Sequence, residues 1–382
     1  MTQTKVVVIG GGIAGVSAAY ALSQHRSQPS VTLIEAEAQL AHHTTGRSAA
    51  QFIENYGTMP TRVLTKASLP FFTEPPEGLT DGALLQPRGL LTVARPEQTD
   101  HFEQVLAEGQ AQNPSITEIS PDEAVALFPL LRPELVARAL LEPDSADIDV
   151  AGLHQAFVRG LARAGGAIDT SQRAVGLARV DQGWDITTAD TTLGADIIVN
   201  AAGAWGDEVG AMAGLRPLGL RPLRRTAFMV PAPVPGDPHE PLVADIEHHW
   251  YTKRDGEQYL CSPADETLSE PCDAKPEEID IALAIDLINA ATSLGIRTVR
   301  SSWAGLRTFS PDDTMVLGPD PEDPSFVWCV GQGGVGIQTS PATGFLVADL
   351  TLDGRPGPTF DHSDIDVEAF DAGRFSSPRQ PN

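Results

Sequence analysis

Val6-Val7-Val8-Ile9-Gly10-Gly11-Gly12-Ile13-Ala14-Gly15 is the stretch that decides the fold. An apolar run too short to cross a membrane enters a Gly-x-Gly-x-x-Gly turn, and a helical segment follows from Val16 to Gln24. A second apolar run, Val31-Thr32-Leu33-Ile34, ends in Glu35, about 20 residues past the last glycine. Each part has a task. Gly10 makes the tight turn, Gly12 lets the backbone approach a pyrophosphate, and Gly15 lets helix and strand close together. Free N–H groups where the helix begins, at Ile13 and Ala14, face the phosphate, and the Glu35 carboxylate accepts ribose hydroxyls. Strand, glycine turn, helix and acid together predict a bound dinucleotide.

Composition bounds the rest. The chain has 382 residues, 41% of them hydrophobic and 20% charged, which suits one large or two intertwined globular domains. A net charge of −25 argues against nucleic acid and anionic membrane surfaces as partners. No run approaches the ~20 apolar residues of a spanning helix, and no cationic leader precedes a long apolar stretch, so a cytoplasmic protein is expected. Attachment to a membrane partner stays open. Cys261, Cys272 and Cys329 are odd in number and lack metal-ligand spacing, which points to a reducing compartment. Cys329, inside Phe326-Val327-Trp328-Cys329-Val330, reads as core.

The expected fold class is α/β (α+β): a Rossmann-like domain in discontinuous segments plus an antiparallel-sheet substrate domain. The first is assigned to 1–55, 146–215 and 303–382, the second to 56–145 and 216–302. In the first, a helix spans Leu153 to Ala164 and Ala167-Ile168-Asp169 follows. Strands near Ala174–Val180 and Trp184–Thr188 flank a Gln182-Gly183 turn. Ile197-Ile198-Val199-Asn200 then enters Ala201-Ala202-Gly203-Ala204-Trp205, where small residues let something planar or phosphorylated pass close. Val327–Val330 leads into Gly331-Gln332-Gly333-Gly334-Val335-Gly336 and a helix from Ala342 to Leu350. The second domain has a hairpin, Trp250–Lys253 and Gln258–Ser262 around Asp255-Gly256, and a helix from Ile279 to Leu294. The Pro-, Ser- and Asp-rich tail after Gly354 is expected on the surface.

A single fingerprint implies one tightly held dinucleotide. The late glycine loop, with Gly333, Gly334, Gly336, Ile337 and Gln338 opening a helix, separates FAD from NAD: its N–H groups and helix dipole suit the negative charge of a reduced flavin. An ordinary strand–loop–helix connection is the alternative.

Gly10–Gly15 with Glu35, Thr44-Thr45-Gly46-Arg47-Ser48-Ala49-Ala50, Val199–Trp205 and the late loop resemble the FAD-dependent D-amino acid oxidase superfamily. Ala146-Asp147-Ile148-Asp149 with Leu153-His154-Gln155, Arg216-Pro217-Leu218-Gly219-Leu220, Trp303-Ala304-Gly305-Leu306-Arg307 and Gln332–Ser340 are similar to its bacterial D-arginine dehydrogenase branch. The likeness runs from residue 5 to Ser376-Ser377-Pro378-Arg379. It implies FAD held without a covalent bond, because Gly305 stands where sarcosine oxidases of the superfamily carry the flavin-linking cysteine. The cofactor contacts it implies are Gly10, Gly12, Ile13, Ala14, Gly15, Glu35, Thr45, Gly46, Arg47, Ser48, Val175, Ala202, Gly203, Trp205, Gly333, Gly334, Gly336, Ile337 and Gln338.

Oxidation of an amino acid needs its carboxylate clamped so that Cα–H points at flavin N5, and a guanidinium fork does this bidentately. The resemblance nominates Arg224, Arg307, Tyr251 and Tyr56, with Gly334 and Gln338 close by. Alternation along a strand sends only one of Arg224 and Arg225 inward, and the tyrosines have a packing reading as well. Gln338 has a helix-capping or packing alternative. Where the arginine-specific branch has a side-chain glutamate, a threonine and a lid histidine, this chain has Leu90, Ile53 and Gln51. Burying a guanidinium against Leu90 and Ile53 without a counter-charge costs several kcal/mol, so neutral or apolar D-amino acids are expected over cationic ones. Glu54, beside Ile53, is the reservation. No metal site is expected, since His42-His43 and His248-His249 are adjacent pairs without carboxylates at ligand spacing.

The expected reaction is oxidative deamination: hydride passes from Cα to flavin N5, and the released imino acid hydrolyses to a 2-oxo acid and ammonia. An unidentified acceptor (quinone, dye or O₂) then reoxidises the flavin. A glycine or sarcosine oxidase and a non-catalytic flavin-binding module are the rivals.

Overall fold

The computed structural model describes residues 3–100 and 102–375. The Ser376–Arg379 tail therefore lies outside the described residues.

The opening unit forms as its sequence dictates. The strand Lys5–Ile9 runs into a helix over Ile13–Gln24 and returns as Ser30–Ile34. It sits at the heart of a six-stranded sheet in the order 316–319, 326–330, 197–200, 5–9, 30–34, 167–169, parallel except for its first edge. Period-two alternation divides the first strand between two cores. Val6 and Val8 join the core of the helices 13–24, 59–73, 150–163 and 336–352. Val7 and Ile9 face the other way, toward Trp184 and Ile186 of a three-stranded meander.

A second sheet runs in the order 267–268, 221–231, 258–262, 251–255, 242–245, 90–94, 138–142, 117–119, with Ser301–Phe309 also paired to Arg221–Pro231. The 242–245 and 90–94 strands are parallel; the other pairs are antiparallel. One face is covered by the helices 121–127 and 278–291, whose Ala124, Ala284 and Ile288 meet Phe228, Val230 and Tyr259. The other face is left for the site. A small sheet of 51–52, 146–148 and 85–87 lies near the site.

Three readings need correction. Val180 pairs with Gly183 and Asp255 with Gln258, so the turns are Asp181-Gln182 and Gly256-Glu257, each one residue from the expected place. The last helix begins at Gly336 rather than Ala342. The segment after Gly354 is not merely superficial, because Phe360 and Phe370 are buried in the first core.

Candidate active site

A long cavity runs from Glu35 and Gln172–Ala174 to Arg307 and Gly334, across the carboxyl ends of the parallel strands. Ligands bind there in open α/β sheets. The backbone around Gly10 and Gly15 is in such close contact that a Cβ on Gly15 would overlap the Gly10 carbonyl oxygen. That contact holds the helix start against the cavity. Gly12 caps the helix without a side-chain partner, leaving its N-terminus open to an anion. Ile13 N–H donates to Thr45 Oγ1 (3.0 Å), so the Thr45 hydroxyl proton is free to point at a phosphate. The N–H groups of Gly11 (2.6 Å) and Glu37 (2.8 Å) donate to the two Glu35 oxygens, which aims the carboxylate's remaining lone pairs at a ribose. His154, buried, meets the Gly11 carbonyl through Nε2 at 3.0 Å, and burial lowers its pKa. It buttresses the glycine turn as a neutral ring, a role sequence reasoning missed.

The Thr44–Arg47 turn is docked onto the strand 301–309. Thr44 Oγ1 donates to Leu306 O (2.8 Å), Arg47 Nη1 to Ala304 O (2.8 Å), and Trp303 Nε1 to Arg47 O (2.9 Å). Of the nominated cofactor contacts, Gly10, Gly12, Ile13, Ala14, Glu35, Thr45, Arg47, Ser48, Ala202, Gly203, Trp205, Gly333, Gly334, Gly336 and Ile337 line this cavity. Four do not. Gly15 packs helix on strand, and a Cβ on Gly46 would press on Ala41 O. Val175 spends its N–H on Thr187 O and is 54% exposed, while Arg173 and Ala174 face the cavity instead. Gln338 lies in a second cavity. His42 and His43 border the cofactor cavity, His42 exposed at its rim and His43 half-buried against Trp205 and Glu37.

The second cavity shares Ser48, Ala49, Arg225, Tyr251, Arg307, Gly334 and Ile337 with the first. Here the arginine nomination is corrected. In the 221–231/301–309 ladder Arg225 faces Gly305 and Leu223 faces Arg307, so Arg225 and Arg307 are diagonal neighbours on one face. Alternation puts Arg224 on the other face, where it pairs with Glu277 and Asp280, the latter at 2.8 Å. Arg225 is fixed by Asp265 O and Glu266, both at 2.8 Å. Arg307 Nη1 donates to the Tyr56 hydroxyl at 3.3 Å and lies against Gly334, where a Cβ would fall 2.9 Å from it. Burial and the charge of Arg307 pull the Arg225 pKa down. Two half-buried guanidinium groups facing one space call for an anion between them.

Tyr56, Tyr251, Gln51, Ile53 and Leu90 all line the second cavity. Gln51 donates to Arg88 O and Ser145 Oγ. Gln338 holds the wall: its Oε1 accepts from Ile53 N (3.1 Å) while Nε2 donates to Ile53 O (3.0 Å) and Thr65 Oγ1 (2.9 Å). It therefore packs the wall while also lining the cavity. The expectation that a side chain here meets no counter-charge fails. Glu142, paired with Leu90 across the sheet, also lines the cavity, whereas Glu54 does not. His248, exposed in the turn before Tyr251, borders it; partial desolvation first, and Arg225, lower its pKa against the opposing pull of Asp245.

Among the described residues, Glu37, His42 and His43, His25, Asp349 and Asp353, and Asp245, Glu247 and His249 form groups that bring ligand-type atoms together. No described helix is long and apolar enough to cross a membrane.

The chain resembles known proteins in sequence and in fold. The family described as DAO, FAD dependent oxidoreductase, matches residues 5–350. Dimethylglycine dehydrogenase of Rattus norvegicus mitochondria is 24% identical over 96% of this chain, which spans 45% of that protein. Glycine oxidase of Geobacillus kaustophilus is 24% identical over 90% of this chain and 92% of its own. The crystal structure of L-proline dehydrogenase from P. horikoshii superposes with a TM-score of 0.85 at 22% identity, covering 98% of each chain.

Proposed function

Because the chain belongs to the FAD dependent oxidoreductase (DAO) family, whose cofactor is FAD, we propose that it oxidises the Cα–N bond of an amino acid. The motifs it shares with the D-arginine dehydrogenase branch favour a D-amino acid, released as an imino acid that hydrolyses to a 2-oxo acid and ammonia. One observation carries this reading: Arg225 and Arg307 face a common space that opens on both the cofactor cavity and a side-chain cavity.

The donor set of the first cavity fits FAD: a helix N-terminus whose Ile13 N–H is spent on orienting the Thr45 hydroxyl rather than left free, a fixed acid at one end and a glycine-rich helix start at the other. Glu35 would hold the ribose, Gly12–Ala14 and Thr45 the pyrophosphate, and Gly333–Ile337 the ring. FAD, when bound, accepts the hydride leaving Cα. Gly305 offers no sulfur for a covalent link. Segments 1–55, 146–215 and 303–382 form the cofactor unit in this reading, and 56–145 with 216–302 the substrate unit.

Arg225 and Arg307 bind the substrate carboxylate, and Tyr56 fixes Arg307. Tyr251, on the border of both cavities, completes the clamp. This holds the substrate in one orientation, which is where most of the rate gain lies. His248, kept neutral, takes the proton that the ammonium must lose before its Cα can give up a hydride. Leu90, Ile53 and Leu242 wall the side chain.

The names of the relatives favour a second reading, oxidation of glycine or an N-methyl amino acid. Anaerobic mixing with D-alanine, longer D-amino acids, glycine and sarcosine separates them. Bleaching of the flavin by D-amino acids supports the first, and bleaching by glycine or sarcosine alone supports the second. A flavin that dithionite bleaches but no amino acid does would overturn both.

A further inference from the structure

The clamp and the hydride donor leave one buried carboxylate of the second cavity without a task. On the strand Arg138–Glu142, alternate residues Leu140 and Glu142 face the cavity. Glu142 pairs with Leu90, which pairs with Leu242, so these three form one row across the sheet. The adjoining row runs Leu140, Thr92, Ala244 and Tyr251. Glu142 is 4% exposed. Its Oε2 accepts from Asn55 Nδ2 at 3.3 Å, and Oε1 has no partner among the described residues.

The groups around it do not neutralise it. Burial, Glu54 and Asp144 raise the Glu142 pKa from 4.5 to about 7, with Asn55 and Arg62 opposing. The helix 59–73 contributes Arg62, and Lys66 acts on Glu54; the helix 102–112 contributes Glu108 to the same wall. Four carboxylates thus face two cations. A buried carboxylate in an acidic surround is costly unless a cation comes to it.

We propose that Glu142 selects the substrate by its side chain, receiving the terminal cationic nitrogen of a long amino acid whose carboxylate lies at Arg225 and Arg307. This rests on the amino-acid reading above. Three strand spacings separate the strand of Tyr251 from that of Glu142, roughly 14 Å. Both side chains line the same cavity at its two ends, a span that an extended diamino or guanidino acid bridges once the side chains take up part of it. Leu90, Leu140, Leu242 and Ile53 cover the apolar stem. The counter-charge that Leu90 fails to provide is thus offered from the neighbouring strand.

The test uses ligands without an α-amine. Holoprotein is titrated with 6-aminohexanoate and with hexanoate, which share carboxylate and stem but differ in the terminal ammonium; binding is followed by the flavin spectrum and by calorimetry. At pH about 8 the wild type binds 6-aminohexanoate roughly tenfold more tightly. The ratio falls toward one as pH drops through 7, and in both Glu142→Gln and Glu142→Leu. Equal or tighter binding of hexanoate by the wild type, or a ratio that survives either substitution, overturns the proposal. The wild-type pH series decides even where a variant does not fold. Neither ligand can be oxidised at Cα–N, so this outcome is independent of whether any amino acid reduces the flavin.

Discussion

Arg225→Met and Arg224→Met, made side by side, separate two adjacent arginines that the fold assigns to opposite faces. Arg225 borders both cavities and is anchored by Asp265 O and Glu266. Removing one partner of a desolvated charge pair costs about 2–5 kcal/mol. Part of that is returned here, because Arg225 and Arg307 repel one another and the substitution relieves the crowding. A net loss of about 3 kcal/mol follows, roughly 100-fold in kcat/KM. The group left behind, Glu266, is exposed, so folding suffers little. Arg224 gives the opposite pattern. Its bonds run to Glu277 and Asp280, outside both cavities, so its loss costs about 1 kcal/mol of stability and leaves kcat/KM within about twofold. The assay is steady-state turnover of the best amino acid with a dye acceptor, normalised to bound flavin, beside thermal melting. Equal losses of kcat/KM, or a larger one for Arg224→Met at matched flavin content, would refute the assignment of faces.

Gly334→Ala places a methyl 2.9 Å from Arg307 Nη1. It should cost about 1–2 kcal/mol of transition-state binding, seen as a tenfold order of loss in kcat/KM per bound flavin. Glu142→Gln should stabilise the protein in alkaline solution. The folded pKa of Glu142 is raised from 4.5 to about 7, so the folded state holds the extra proton between these values and wild-type stability falls as pH rises through that window. The variant escapes the fall, gaining about 2–3 kcal/mol above pH 7 and nothing near pH 4, measured by denaturant melts. His248→Asn should slow anaerobic flavin reduction while leaving hexanoate binding intact. In the wild type the reduction rate should fall with acid below the ordinary histidine range, since protonation starts lower there; an unchanged acid limb in the variant would remove His248 from the proton path.

The opening unit was legible because its signals are local: a strand, three glycines and an acid lie within thirty-odd residues, each dictated by backbone sterics or phosphate contact. Glu35 and the late glycine loop followed from the same logic, whereas Thr45 was named only by the family resemblance. The arginine clamp was only half legible. Alternation required one of Arg224 and Arg225 to face inward, but which one depends on the register against 301–309, and no local pattern in either strand prints it. Glu142 was invisible for a similar reason: it reaches the cavity because its strand lies beside Leu90, some fifty residues earlier in the chain. His154 could have been suspected from its place on the apolar stripe of a helix facing the glycine turn. The one-residue turn shifts at Asp181-Gln182 and Gly256-Glu257 come from glycine supplying a positive φ at different positions of a short turn.

The most direct measurement is a crystal structure of the holoprotein soaked with a substrate-like carboxylate. The carboxylate is expected between the Arg225 and Arg307 guanidinium groups, over the flavin ring and beside Tyr251. Density for it at Arg224, or a flavin lying away from Gly333–Ile337, would contradict it.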